Sequence, residues 1–349
     1  MGCGNWQMAL FIMLRYGRAE GQHTGLIPWW DEVELGRGEL LHTAKSDINS
    51  TVAVWQHGEF RALWLEDVLQ SVVWVPPGNS SSYGAGAAPA TCTGCSDTLV
   101  FGYPQVMAAA AAAFSACAAA GARSAPGTCP LLQPGACVAC LGVGAGALPL
   151  FLHRRLPRLV VDAVEVDPAV ALAAQRCFGF PPLQADSPPA LTLLVEDAAA
   201  YRLLPRLTAL FLDCFDGRGE VPLQLQQPRF LRDCAAALAP GGVLVTNLLN
   251  GKAGSLQRAR IGAFAAAVAG AFASEVYTIR VPGQAPNVIV VAVKPTVAVA
   301  GACLTGEATA SAAQTLLAVR SASNKRSAAN PLFLGFGRRN WRRPQQAIG

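Results

Sequence analysis

From residue 136 onward, short apolar runs alternate with segments of helical periodicity. The runs are Ala136–Leu141, Leu159–Val166, Leu191–Val195, Leu207–Leu212 and Val243–Leu249. Runs this short, and apolar at nearly every position, predict strands buried on both faces. Between them, Val170, Ala173, Ala174 and Cys177 recur at helical spacing. So do Phe230, Cys234, Ala237 and Leu238 ahead of Pro240-Gly241-Gly242, and Ile261, Phe264, Val268 and Phe272. Strands that alternate with helices predict a mostly parallel sheet covered on both sides. Glu275–Val281 and Val288–Val293, joined by a Pro-Gly loop, predict a closing hairpin. The expected fold is α/β: a Rossmann-like, doubly wound, mostly parallel sheet with a terminal antiparallel hairpin.

The pattern upstream is different. Thr51–Trp55, a turn at Gln56–Glu59 and Phe60–Leu65 read as a hairpin, and Leu69–Val75 reads as a third strand. Gly78 to Gly94 is a Gly/Ser/Ala/Pro-rich loop, and Val106–Ala122, nearly all alanine, is a helix by propensity. The expected organisation is an unassigned segment at 1–46, a small β-hairpin subdomain at 47–105, a catalytic domain at 106–295, and a tail at 296–349. The tail is Ala/Ser-rich, with a helix near Ala308–Val319, and then basic.

Composition refines this in three places. A chain of 349 residues with 52% hydrophobic and 14% charged positions buries a large core and is not a disordered polymer. The net charge of +5 is concentrated: residues 320–349 hold seven Arg/Lys and no acid, which leaves the rest near −2. A solvated tail is the simplest reading of it, with nucleic acid, anionic lipid or an acidic partner as the other readings. The eleven cysteines are odd in number and mostly lie in apolar elements, as reduced core cysteines of an intracellular protein do. Cytoplasm is the expected compartment, with a plastid left open. Cys92-x-x-Cys95 lies in the loop without a second pair, so no metal site is expected. Trp6–Leu14 is too short to span a bilayer, and Trp29-Trp30 reads as a packing element.

The candidate chemistry lies at strand ends. Ala136–Leu141 runs into Gly142-Val143-Gly144-Ala145-Gly146, then a helix-like segment with Pro149 in its first turn, then a second strand ending on Glu165 and Asp167. Strand, glycine loop, helix, strand and acid form a βαβ nucleotide-binding unit. The glycines permit a tight turn and close approach of a ligand, and the acid can take both hydroxyls of a ribose. Asp197, Asp213 and Asp216 follow the next two strands, and Asn247 lies in the fifth. Ligands of open α/β sheets bind outside the carboxyl ends of the strands, which is where these groups fall.

The glycine loop with the following LPLFLH, together with VDAVEVDP, VEDA, LFLDCFD and LAPGGVLVTNLL, resembles class I S-adenosylmethionine-dependent transferases. The resemblance is to the spermidine-synthase-like group, and within it to the methyltransferase-like proteins that modify elongation factor 1A. It covers about residues 47–295. FRALWLEDVLQSVVW looks like that group's β-hairpin stretch and Tyr103 like its tyrosine before the first core helix. The resemblance implies S-adenosylmethionine as cofactor. Gly142, Gly144 and Gly146 would pass its amino-acid portion. Glu165 would bind the ribose, with Asp167 nearby, and Asp197 would meet the adenine amine. Gln70 would reach the cofactor from the hairpin subdomain. Asp213, with Asp216 and Asn247 as helpers, would align the acceptor or take its proton. The related polyamine enzymes commonly dimerise, so a homodimer is admitted; the acceptor is unknown, with a protein among the candidates.

One departure separates two reactions. Aminopropyltransferases of this group carry an aspartate inside the loop, as GGGDG, to pair with the ammonium of decarboxylated S-adenosylmethionine. Here that position is Ala145, and Tyr103 is followed by PQVMAAAA instead of an acidic, His-containing stretch. Methyl transfer is therefore the first expectation. Polyamine aminopropyl transfer from the decarboxylated cofactor is the second, and a nucleoside-binding scaffold without catalysis the third.

Overall fold

The computed structural model describes residues 38–75, 99–121, 129–156, 158–181, 190–216, 219–251, 254–281 and 287–296. Trp29-Trp30, the Cys92/Cys95 pair, the helix near 308–319 and the basic tail lie outside them.

The apolar runs become strands β5 (Cys137–Leu141), β6 (Val160–Glu165), β7 (Leu191–Val195), β8 (Leu207–Leu212) and β9 (Leu238–Leu249). With β10 (Val276–Arg280) and β11 (Asn287–Val293) they form one sheet in the order β10-β11-β9-β8-β5-β6-β7. The pairs from β9 to β7 are parallel; β11 inserts antiparallel to both β9 and β10. This is the expected sheet with its closing hairpin.

Both faces are covered because successive residues of a buried strand point opposite ways. Ala209 and Phe211 of β8 face one layer, with Ile289 and Val291 of β11, under α1 (Gly102–Gly121) and α2 (Ala147–Arg155). Leu210 and Leu212 face the other, with Val288 and Val290, under α4 (Pro228–Ala237) and α5 (Leu256–Phe272). α4 ends at Ala237 and passes straight into β9, so Leu238 belongs to the strand and Pro240-Gly241-Gly242 lies inside it, not ahead of it as expected. There the Lys294 ammonium donates to the Ala236 and Leu238 carbonyls at 3.0 and 2.6 Å, a favourable place for a cation at a helix C-terminus.

The N-terminal unit holds four antiparallel strands: β1 (Glu39–Ser46), β2 (Ser50–His57), β3 (Phe60–Leu65) and β4 (Val68–Trp74). The last three are the strands the sequence predicts, while β1 falls within residues 1–46, where no element is expected. Its burial alternates only from His42 to Ser46, after a register shift between Leu40 and His42, and the half-buried positions there are not an apolar run. One face of this sheet (Val52, Val54, Leu63, Val73) packs on Ala169, Val170, Ala173 and Phe178 of α3 (Pro168–Phe178) and on Ala145 of the glycine loop.

Both ends of α3 are tied to this sheet. Arg61 is 1% exposed, and its guanidinium donates to the Cys177 carbonyl in the last turn and to Gln56 Oε1 at 2.8 Å. A buried guanidinium is tolerated when its donors are taken and it faces the negative end of a helix. At the other end, Asp167 caps the helix while accepting from Ser46 and Asn49. The β-sheet unit is thus fixed against the glycine-loop side of the larger sheet. Among the described residues, no helix is long and apolar enough to cross a membrane.

Candidate active site

β5 ends directly in the loop that carries the glycines, and each of the three has a positive φ: +88° at Gly142, +54° at Gly144 and +76° at Gly146. At Gly142 the constraint is also one of space. A Cβ there would overlap the Asp213 carbonyl oxygen, because the loop crosses the end of β8. The ladder continues into this crossing: Gly142 donates to the Val164 carbonyl at 2.9 Å and the Asp213 amide donates to the Leu141 carbonyl at 2.8 Å. At Gly144 a Cβ would come within 2.8 Å of Ser71 Oγ, so β4 passes against the middle of the loop.

Glu165, at the end of β6, is buried against this loop. Its Oε2 accepts from the Val143 and Gly144 amides at 3.1 and 3.3 Å, and its Oε1 from the Asp167 amide at 3.1 Å. Burial raises its carboxyl pKa, and the three amides work against that rise. The acid expected at the ribose position therefore lies at the glycine loop itself.

Asp167 does not join it. The side chain is 0% exposed: Oδ1 accepts from the Ala169 amide at 2.8 Å, and Oδ2 takes Ser46 Oγ at 2.5 Å and Asn49 Nδ2 at 2.6 Å. Both of its oxygens cap α3 and dock the β-sheet unit. Its partners lie more than a hundred positions away in the chain, which no local motif signals.

Asp197 follows β7 and is exposed, with Oδ1 accepting from the Ala199 amide at 2.8 Å. Cys214 reveals that the acids converge: burial and then the charges of Glu165, Asp213 and Asp197 push its thiol well above the ordinary range. Three carboxylates from three strand ends thus act on one point beside the glycine loop.

Asp213 lies directly after β8, half-buried. Burial raises its carboxyl to about 6, against donation from Asn247 and the Tyr103 hydroxyl. Asn247 Nδ2 donates to Asp213 Oδ1 at 2.8 Å, and Asn247 itself is 1% exposed. Tyr103 comes from the first turn of α1, and its own hydroxyl is pushed far up by burial and by Asp213. Buried, and near Asp213 and Asp162, Cys140 stays a neutral thiol.

Asp216 takes a different part. It is exposed, and its Oδ1 accepts from the Glu220 amide at 3.0 Å while its own amide donates to the Glu220 carbonyl at 2.8 Å, closing the turn after β8. Gln70 is half-buried in β4. The register passes from Leu63↔Ser71 to Trp64↔Leu69, so Gln70 is the extra residue of a β-bulge next to the Ser71 contact with the loop. Bulges re-aim side chains and recur beside active sites. Two site-side residues are absent from the sequence-based expectations. Ser71 carries no motif, and Asn287 is marked only as the polar start of an otherwise apolar strand.

The sheet order, the antiparallel β11 and the N-terminal β-sheet unit together make a Rossmann-like α/β fold. A probable spermidine synthase from Corynebacterium glutamicum shares it with a TM-score of 0.55 at 18% identity, over 79% of this chain and 86% of that one. The homologues are transferases of two kinds. The eEF1A lysine and N-terminal methyltransferase of Bos taurus is 28% identical over 130 residues, 34% of this chain and 18% of the relative. The polyamine aminopropyltransferase of Chromobacterium violaceum is 32% identical over 113 residues, 32% of this chain and 41% of the relative. The matched stretches cover less than half of either curated relative. No family model matches the chain.

Proposed function

We propose that this protein is an S-adenosylmethionine-dependent methyltransferase whose acceptor, a protein among the candidates, enters beside Asp213. The observation that carries methyl over aminopropyl transfer is the state of position 145. Ala145 is 0% exposed, packed among Val52, Val54, Leu63 and Val73 of the β-sheet unit and Ala169 and Val170 of α3. The acid that aminopropyltransferases carry there is absent, and its place is an apolar interior. What faces the cofactor's amino-acid end is instead backbone N–H at the start of α2, a setting that favours a carboxylate over a lone ammonium.

The chain's residues fit the cofactor. The left-handed glycines let the loop pass close against β8, Ser71 of β4 and Phe180, and Glu165 stands at that loop to accept two ribose hydroxyls. Asp197 is exposed at the next strand end for the adenine amine. S-adenosylmethionine supplies an already activated methyl group, so the protein needs only to align the acceptor and manage one proton. Asp213 is suited to managing the proton. With its carboxyl at about 6 it is mostly ionised at neutral pH yet basic enough to accept one. Tyr103 and Asn247 hold its oxygens in place.

A second reading, aminopropyl transfer to a polyamine, is supported by Asp213 and Asp216 leaving β8 together and by the aminopropyltransferase relative. Both readings need Glu165. Glu165→Gln should weaken nucleoside binding by about tenfold or more, the loss of charge-assisted hydrogen bonds to two hydroxyls. Calorimetry with S-adenosylhomocysteine measures it, and unchanged affinity would remove Glu165 from the site.

A further inference from the structure

Asn287 opens β11 as the one polar residue of the run NVIVVAV, and it is only 8% exposed. Its Nδ2 donates to Asn247 Oδ1 at 3.0 Å, while Asn247 Nδ2 donates to Asp213 Oδ1 at 2.8 Å. The register explains the contact: Ile289 pairs with Asn247, so Asn287, two residues earlier, falls on the same side of the sheet.

The chemistry makes the chain directional. An ionised carboxylate only accepts, so Asn247 must turn its NH₂ toward Asp213. Its carbonyl oxygen then points into buried surroundings, where an acceptor without a donor is costly. Asn287 provides that donor from the antiparallel strand. We propose that Asn287 is a positioning residue for Asp213, acting through Asn247: it fixes which way the Asn247 amide faces and thereby holds the carboxylate in place for the acceptor. The proposal rests on the reading of Asp213 as proton acceptor, but the amide orientation does not.

The groups around Asp213 from the packed elements are Tyr103 of α1, Cys140 of β5 and Cys214 beside it, with Glu165 and Asp197 acting on Cys214 in turn. None is moved by a substitution at 287. Asn287→Leu, close in size, and the smaller Asn287→Ala both remove the donor without adding charge. Freed to rotate, Asn247 donates less to Asp213, whose proton affinity should rise by about tenfold.

The test is a pH titration of aspartate ¹³Cγ signals in the full chain, with Asp213→Asn identifying the resonance and thermal melts confirming the fold. In the folded variant, Asp213 should titrate at higher pH than in wild type. Turnover at neutral pH should fall by about twofold or more, following the lost carboxylate fraction, with the nucleoside KM unchanged. A merely structural role would lower the melting temperature and leave the titration where it was, and that result overturns the proposal. A shifted titration in a protein that transfers no methyl group supports the positioning role and sinks the functional reading instead.

Discussion

Asp213→Asn should lower turnover by about 10²–10⁴-fold, the usual contribution of a positioned general base, while nucleoside affinity stays nearly unchanged. Asparagine matches aspartate in shape: its carbonyl oxygen can still accept from Asn247 and its NH₂ can donate to the Tyr103 hydroxyl oxygen, so the surrounding network persists. What is lost is the capacity to take a proton. In the wild type, turnover should rise with pH through about 6 as the carboxylate forms, and the variant should lack that limb. Stability supplies a separate check. The carboxyl is raised from 3.8 to about 6 in the folded protein, so the native state holds its proton more tightly than the unfolded chain. Native stability therefore falls as pH rises across that window. Asp213→Asn removes the fall, so its stability relative to wild type should be greater at pH 7 than at pH 4. S-adenosylhomocysteine release with cell extract as the acceptor pool reads the turnover. A collapse of nucleoside affinity, in place of lost turnover, would make Asp213 a binding residue.

Ala145→Asp should destabilise the protein by several kcal/mol at neutral pH, the effective cost of burying an unpaired carboxylate. The side chain is enclosed by the apolar contact between the β-sheet unit and α3, and the guanidinium buried in that contact, Arg61, is committed to the Cys177 carbonyl and to Gln56. The carboxyl would be held protonated by burial, so the deficit should shrink as pH falls toward the ordinary aspartate range. Chemical denaturation at pH 7 and pH 4 measures both effects. A variant as stable as wild type at pH 7, and newly able to bind decarboxylated S-adenosylmethionine, would show that position 145 faces the ligand and would restore the aminopropyl reading.

These two positions mark how much the sequence could reveal. The parallel sheet was legible because each strand is buried on both faces and so appears as an unbroken apolar run. The glycine loop was legible because left-handed backbone and close approach to β8 admit no side chain at Gly142. Glu165 and Asp213 could be placed beside that loop from sequence because they close strands whose carboxyl ends meet there. What escaped depends on contacts between distant segments. Asp167 looks like a site acid by position, yet Ser46 and Asn49 claim it from a turn more than a hundred residues upstream. Arg61 looks like a surface charge in a hairpin, yet it closes the last turn of α3. β1 alternates only from His42 to Ser46, beyond the register shift between Leu40 and His42, and the half-buried positions there are His42, Ala44 and Ser46, which form no apolar run. Asn287 has meaning only through the antiparallel register that places it beside Asn247.

Methyl transfer implies that the intact methionine end of the cofactor is recognised, and aminopropyl transfer implies the opposite. Calorimetry of the full chain with S-adenosylmethionine and with its decarboxylated form therefore tests the central claim most directly. The account predicts tighter binding of S-adenosylmethionine, because its carboxylate meets the N-terminus of α2 while Ala145 offers nothing to a lone ammonium. Preference for the decarboxylated form would contradict it.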